Sequence, residues 1–366
     1  MQSNVTTVIP VYNGERFLLR TLQTVAQQTK RPDRLIVLDN CSTDRTEQIV
    51  RAFTELKCEF IRNEKNLGLF GNMNRALGFA EQTRYLHLLC ADDLLTPRYL
   101  ERMVPTLEPC RGFGTSFCLD ERVDEEERHL SISGRVTGDV EEIPRAAYLT
   151  QKAEIANQAF SGTLYKTNFQ KVPVQFRLDM PILADVVFYA EFGAHCERIV
   201  RVSEPLMQYR WHGTNQSSEN MPGIQALVLD EWKTMQTIEV LRGGTGFVRG
   251  CKLKGLFGVR SGIKARRIRQ LGNNQYSREI VGAGRRISGL PLWLAAQCVV
   301  HTRELVVYGI LRDAAQRLSM SYSVHAAGRD TSTDADVIHL AREGVATALV
   351  SVPNRYMHSP NEMVSL

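Results

Sequence analysis

The feature that most restricts this chain is a run of short apolar segments, each closing on a polar residue and each followed by a helix-period segment. Residues 5–11 are apolar and are broken by Tyr12, Asn13 and Gly14, after which Phe17, Leu18, Leu22 and Val25 recur at helical spacing. Residues 34–38 repeat the apolar run and stop at Asp39, with turn and cap residues over 40–44 before a helix through Ile49 and Phe53. Residues 58–62 lead to Asn66, Leu67, Gly68 and a helix over 72–80, and residues 85–89 run into Ala91, Asp92 and Asp93. Strands alternating in this way with helices predict an α/β protein with a doubly wound, mostly parallel sheet. Further on, the pattern predicts a helix through Leu100, Met103 and Leu107, a strand over 114–119, and a solvated acidic hairpin or loop over 120–127. It then gives helices over 148–162 and 182–194, with strands over 199–202 and 206–210.

Open parallel sheets bind ligands outside the carboxyl ends of their strands. Asn13, Asp39, Asp92 and Asp93 occupy those positions here. Turns and caps favour Asp and Asn in any protein, so each residue alone is ordinary, and their joint occurrence is what singles them out. Asp92 and Asp93 are hard oxygen donors suited to Mg²⁺ or Mn²⁺, or else a helix N-cap cluster. Asp39 is placed to accept hydrogen bonds from a base or a ribose hydroxyl. No GxGxxG follows the first strand and there is no Walker lysine, which argues against a nicotinamide cofactor and a P-loop.

Val8-Ile9-Pro10-Val11-Tyr12-Asn13-Gly14, Asp39-Asn40-Cys41-Ser42-Thr43-Asp44, Asn66-Leu67-Gly68 with Asn72, and Cys90-Ala91-Asp92-Asp93 together resemble glycosyltransferase family 2, in order and spacing. The resemblance covers about residues 4–220. It implies the GT-A fold, a nucleotide-diphosphate sugar donor (UDP by preference), a divalent metal, and inversion at the anomeric carbon. It implies that Pro10, Tyr12, Asn13, Asp39, Asn66, Gly68, Asn72 and Asp92 line the nucleotide-sugar site, with Asp93 and His212 toward the metal. Such transfer needs a held nucleotide, a neutralised departing diphosphate and a base for the incoming hydroxyl. Residues 183–188 resemble the acidic motif that opens a helix beneath the acceptor, which makes Asp185 the candidate base. Ala184 stands where the family usually has Glu, and Asp179 competes for the role. Asp185 also suits a helix N-terminus electrostatically, and His212 beside Trp211 also suits simple packing. Gly162, after Ser161, resembles a turn that admits the acceptor, a saccharide or lipid-linked molecule.

Beyond residue 220 the chain becomes helical, basic and glycine-interrupted. Between 242 and 317 only Glu279, Glu304 and Asp313 oppose a long series of Arg and Lys, although the net charge of the whole chain is only +5. Such a segment suits peripheral contact with an anionic membrane, or else a solvated helical subdomain; no nucleic-acid recognition motif accompanies the charge. Its apolar stretches are too short for a ~20-residue span. The eight cysteines include no CxxC pair, and the first strand begins without an export signal. These features point to a cytoplasmic protein, peripheral at the inner face of the membrane where it binds lipid.

The last 45 residues, 322–366, are different. Residues 328–335 and 352–360 resemble the C-terminal end of a dinuclear metallo-aminopeptidase of the glutamyl aminopeptidase type, with His358 matching a metal ligand. The other ligands of that family are missing from this sequence, and a two-metal hydrolase needs its full set. The expected architecture is therefore a GT-A domain over 1–220, a basic helical extension over 221–321 and a short, foreign-looking α/β tail over 322–366. Two further readings are a catalytically silent sugar-nucleotide-binding scaffold and, third, a metallo-aminopeptidase.

Overall fold

A computed structural model describes residues 3–153, 158–212, 224–244, 246–270, 272–294 and 296. The chain divides into two compact units, Met1–Gly246 and Phe247–Leu366. The first is built on a ten-stranded sheet in the order β3-β2-β1-β4-β9-β6-β10-β5, where β5 is Leu94–Leu95, with β7 beside β6 and β8 (Val140–Glu142) beside β10. Strands β1 (Ser3–Val11), β2 (Arg34–Asp39), β3 (Cys58–Arg62) and β4 (Thr83–Leu88) pair in parallel. Helices α1 (Leu18–Ala26), α2 (Thr46–Ala52) and α3 (Leu69–Leu77) connect them. The strand order 3-2-1-4 reverses direction between β1 and β4, which opens a crevice at the carboxyl ends of those two strands.

The continuous apolar runs are explained by burial on both faces. Val5, Ile9, Val11, Leu35, Val37, Tyr85 and Leu89 point to one face, where α1 and α4 (Tyr99–Leu107) pack through Leu18, Leu22, Tyr99 and Met103. Val8, Ile36, Leu38, Leu86 and Leu88 point to the other, against Met73 and Ala76 of α3 and Phe188 and Phe192 of α6 (Ala184–His195). The alternation is the period-2 geometry of strands. Beyond β4 the sheet turns antiparallel through β9 (Thr163–Lys166), which joins β4 to β6 (Gly114–Val123). Lys166 is buried and donates from Nζ to the Leu107 and Glu108 carbonyls at 2.9 and 3.1 Å, giving the end of α4 a charged cap.

Several boundaries differ from the sequence reading. The acidic stretch continues β6 and turns back as β7 (His129–Ile132), because Glu121 pairs with Ile132. The two late strands are one, β10 (Arg198–Arg210), with register shifts around Pro205, a residue that cannot donate to the ladder. The helix expected over 148–162 is the shorter α5 (Arg145–Ala153). Helix α7 (Ile224–Leu241), counted above with the basic extension, packs on α5 and α6 within the first unit. Its Asp230 carboxylate accepts the backbone N–H of Ile182 at 2.9 Å.

In the second unit, α8 (Phe247–Gln270) packs on α9 (Asn274–Ser288). Small residues Gly258, Ser261, Gly262 and Ala265 form the buried stripe of α8, and Ser277 and Ser288 of α9 donate to the carbonyls of Ala265 and Lys254 at 2.7 and 2.9 Å. No helix among the described residues is long and apolar enough to cross a membrane. The tail over 322–366, including His358, lies outside the described residues.

Candidate active site

The crevice is assembled from four strand ends. After β1, Tyr12 is half-exposed, and Asn13 adopts a left-handed backbone with φ 52. Gly14 follows in a place where a Cβ would lie 2.5 Å from Val11 Cγ2, so a glycine is required by close approach. Asn13 N–H donates to Ser42 Oγ at 2.8 Å, and Asn13 Oδ1 accepts Thr43 N–H at 2.9 Å, which locks the β1 and β2 ends together. Pro10, one residue earlier in the ladder from Val11, is buried opposite Leu38.

Asp39 ends β2 with a fully buried carboxylate. Both oxygens accept the Ser42 N–H at 3.2 Å, and Arg62, the last residue of β3, donates to Oδ2 at 2.8 Å and to the Ser42 carbonyl at 2.7 Å. Behind it an amide network holds the next loop. Asn40 Nδ2 donates to Asn66 Oδ1 at 2.8 Å, Asn63 Nδ2 to Asn40 Oδ1 at 2.8 Å and Asn72 Oδ1 at 2.9 Å, and Asn72 Nδ2 to the Leu38 carbonyl at 3.1 Å. Asn72 is thus buried inside this network, while Asn66 is at the surface with Gly68, whose φ of 73 gives the entry to α3 its shape. The asparagines organise the loop that faces the crevice.

The β4 end carries the acids. Asp93 is buried; Ser161 Oγ–H donates to its Oδ2 at 2.6 Å and the Arg210 backbone N–H to its Oδ1 at 3.2 Å. Burial, reinforced by the charge of Asp92, holds the Asp93 carboxyl well above the usual carboxylate range. Ser161 is fixed in turn by the Cys90 N–H at 3.0 Å, and its carbonyl lies 2.9 Å from Nε2 of His87. Burial lowers His87 to about 4, so the ring is neutral. Asp92 is more open, and its Oδ2 lies 3.1 Å from Nε2 of His212. The His212 ring lies against Phe17, centroids 4.7 Å apart.

Ligand atoms of Cys90, Asp92 and Asp93 lie within 4.8 Å of one another. Burial and the neighbouring acids push the Cys90 thiol well up, so the group presents no thiolate; it offers the Asp92 carboxylate, the Asp93 carboxyl behind it and the His212 imidazole 3.1 Å from Asp92. That donor set fits Mg²⁺ or Mn²⁺. Arg210, buried, donates from Nε to the Asp92 carbonyl at 3.0 Å and pairs with Glu127 at 3.2 Å; Glu127 also binds Arg20 at 2.9 Å. The acidic hairpin is therefore fastened over the strand ends rather than merely solvated.

Asp185 lies in the first turn of α6, with the Val186 N–H on its Oδ1 at 2.8 Å. Burial pushes its carboxyl up to about 6, against the opposing pull of that N–H and of the Lys152 ammonium. Tyr165 of β9 packs edge-on against Phe188 and Phe192 of the same helix, with centroids 5.9 and 5.4 Å away. Asp179, the competing residue, is engaged at the surface with Lys233 at 2.8 Å and Arg177 at 3.3 Å, and these partners hold its carboxyl low. Ala184 is fully buried against the apolar cluster of Met180, Leu183 and Val187. Arg62, Glu127 and Lys152 were missed by sequence reasoning. Arg62 carried a usable signal as the polar end of the third strand, whereas a lysine inside a helix gives no sign of burial.

A nucleotide-type half sheet continued by antiparallel strands, with paired acids at the β1/β4 crevice, defines the GT-A class of glycosyltransferase fold. Staphylococcus aureus TarS 1–349, solved in complex with UDP-GlcNAc, superposes with a TM-score of 0.55 at 16% identity, covering 89% of this chain and 95% of that one. Residues 6–130 of the chain match the model of glycosyl transferase family 2. An uncharacterized glycosyltransferase of Haemophilus influenzae is 25% identical over 219 residues, 58% of this chain and 67% of its own length. The chain spans 43% of the length of a glycosyltransferase of Methanocaldococcus jannaschii at 30% identity and 89% of that of one of Nostoc at 25% identity. Residues 292–366 match the M42 glutamyl aminopeptidase family, and a lysyl aminopeptidase of Pyrococcus furiosus is 45% identical over 51 residues, 14% of this chain and 15% of that protein.

Proposed function

We propose that the chain is an inverting, metal-dependent glycosyltransferase that moves a sugar from a UDP-sugar to a saccharide or lipid-linked acceptor, in the synthesis of a surface polysaccharide. The observation that carries this reading is the grouping of Asp92 and Asp93 with His212 at the sheet's switch point, in a sheet whose β2 strand ends on Asp39. The structural likeness to a protein solved with UDP-GlcNAc supports a uridine nucleotide. Tyr12, Asn13 and Asp39 hold the base and ribose, while Asn66 and Gly68 shape the wall. Asp92 forms the accessible part of the cation site, with the buried His212 beside it and the buried Asp93 behind. When bound, the cation supplies positive charge to the departing diphosphate.

Asp185 takes the proton from the acceptor hydroxyl as its oxygen forms a bond to the anomeric carbon. The bond from that carbon to the diphosphate oxygen breaks with the electron pair leaving on UDP. Attack opposite the leaving group inverts the anomeric centre. Titration calorimetry with UDP and GDP, each with and without Mn²⁺, tests the donor site. Metal-dependent binding of UDP is the expected result, and no binding of either nucleotide would refute the reading.

The protein acts in the cytoplasm and reaches its acceptor as a peripheral protein on the inner face of the membrane. The basic character of α8 and α9, with Phe247 and Val248 exposed at the start of α8, supports this. Flotation with anionic liposomes is expected at low salt and is expected to fall as salt screens the attraction; failure to float at low salt would rule the contact out.

A further inference from the structure

Helices α5 and α6 meet along two matched stripes. On α6 the stripe is Asp185, Tyr189 and Gly193, spaced four residues apart on one face. On α5 it is Tyr148 and Lys152, again four apart. Gly193 lets Tyr148 in, since a Cβ there would lie 2.5 Å from Tyr148 Cε1. One turn along, Lys152 Nζ lies 5.2 Å from the centroid of Tyr189, 5.1 Å from that of Tyr148 and 5.9 Å from that of Phe117. The next member of the α6 stripe is Asp185. A lysine that is 2% exposed and caged by three aromatic rings is an unusual side chain to keep in a core.

We propose that Lys152 is a positioning residue whose ammonium, held in this aromatic cage, keeps the Asp185 carboxylate ready to accept a proton without itself touching substrate. The inference rests on the reading of Asp185 as the base. Lys152 is the charged side chain that pulls the Asp185 carboxyl down against burial, and Asp185 in turn holds up the Lys152 ammonium, which burial lowers to about 7. The coupling is mutual, as linkage requires. Among the described residues, the titratable groups named around the pair supply no competing cation. The phenols of Tyr148, Tyr165 and Tyr189 are raised by burial and stay neutral. On α7, Asp230 is tied to the Ile182 and Leu183 N–H groups, Glu231 is buried, and Lys233 is committed to Asp179.

The test is carbon-13 NMR of the full chain labelled at aspartate carboxyls, with the Asp185 signal assigned by its loss in Asp185→Asn. Lys152→Met is expected to raise the Asp185 midpoint by about one pH unit or more, roughly a tenfold change in proton affinity, and Lys152→Arg to return it toward the wild-type value. An unmoved midpoint in folded Lys152→Met would overturn the proposal. Should Lys152→Met fail to fold, lysine-labelled Asp185→Asn reads the same coupling from the other side, with the Lys152 midpoint moving down; no movement there overturns it equally. Donor turnover of Asp185→Asn separates the two ideas. Full activity in that variant would remove the base assignment and the role of Lys152 with it, whereas an inactive Asp185→Asn with an unmoved Asp185 midpoint in Lys152→Met would remove Lys152 alone.

Discussion

Asp185→Asn should reduce turnover by about 10²–10⁴-fold, the range lost with a general base, while leaving metal-dependent binding of UDP unchanged. The amide keeps the size of the side chain at the mouth of α6 but cannot take the acceptor's proton. The wild-type rate should also fall on an acid limb centred near pH 6, where burial sets the Asp185 carboxyl. The sign for stability is opposite. A carboxyl whose folded value is raised from 3.8 to about 6 favours the fold most below its unfolded value, and that contribution is lost as pH rises through 6. The protonated form is better for folding and the ionised form better for catalysis, so stability and rate should trade against each other across that interval. Steady-state rates and thermal midpoints measured from about pH 3.5 to about 8 check both limbs; an acid limb that persists in residual Asp185→Asn activity would assign it to another group.

Asp92→Ala combined with His212→Ala should abolish the Mn²⁺ dependence of UDP binding, costing about 10–100-fold in affinity or more. Asp92 is the open side of the acid group, and the buried His212 backs it with 3.1 Å between Oδ2 and Nε2. Asp93→Asn should do something different. Its oxygens are already satisfied by Ser161 and the Arg210 N–H, so replacing one oxygen by an NH₂ turns an acceptor into a donor and loosens the join between β4 and β10. A lower melting temperature for Asp93→Asn, next to a nearly normal one for the Asp92/His212 variant, would separate support from cation binding. Equal loss of Mn²⁺ dependence in both, with no change in melting temperature, would make Asp93 a direct ligand.

The parallel half of the sheet was readable because β1, β2 and β4 are buried on both faces and reach an Asn or Asp at the strand end or within four residues of it, which leaves a continuous apolar signal with polar punctuation. The antiparallel half was harder. β10 contains Pro205 and register shifts, and so resembles two strands, while β7 and β8 are exposed on the residues they span and carry little apolar pattern. Within the site, the strand-end position identified Asp39, Asp92 and Asp93 as candidates, but sequence could not show which carboxylates remain open. Asn72 turned inward to hold a loop, and Arg62 and Glu127 found partners that lie distant in the chain. Lys152 was unreadable for a simple reason: its burial depends on three rings from β6, α5 and α6.

The acidic hairpin gives the crevice an electrical character of its own. Arg210 faces Glu127, and Arg62 faces Asp39, so two of the guanidinium groups nearest the strand ends bring their counter-ions with them. A mouth balanced in this way offers little to inorganic phosphate or to any anion recognised by charge alone. Selectivity then falls to shape and to hydrogen bonds with a whole nucleotide, and a molecule that supplies its own cation enters on better terms than one that arrives bare.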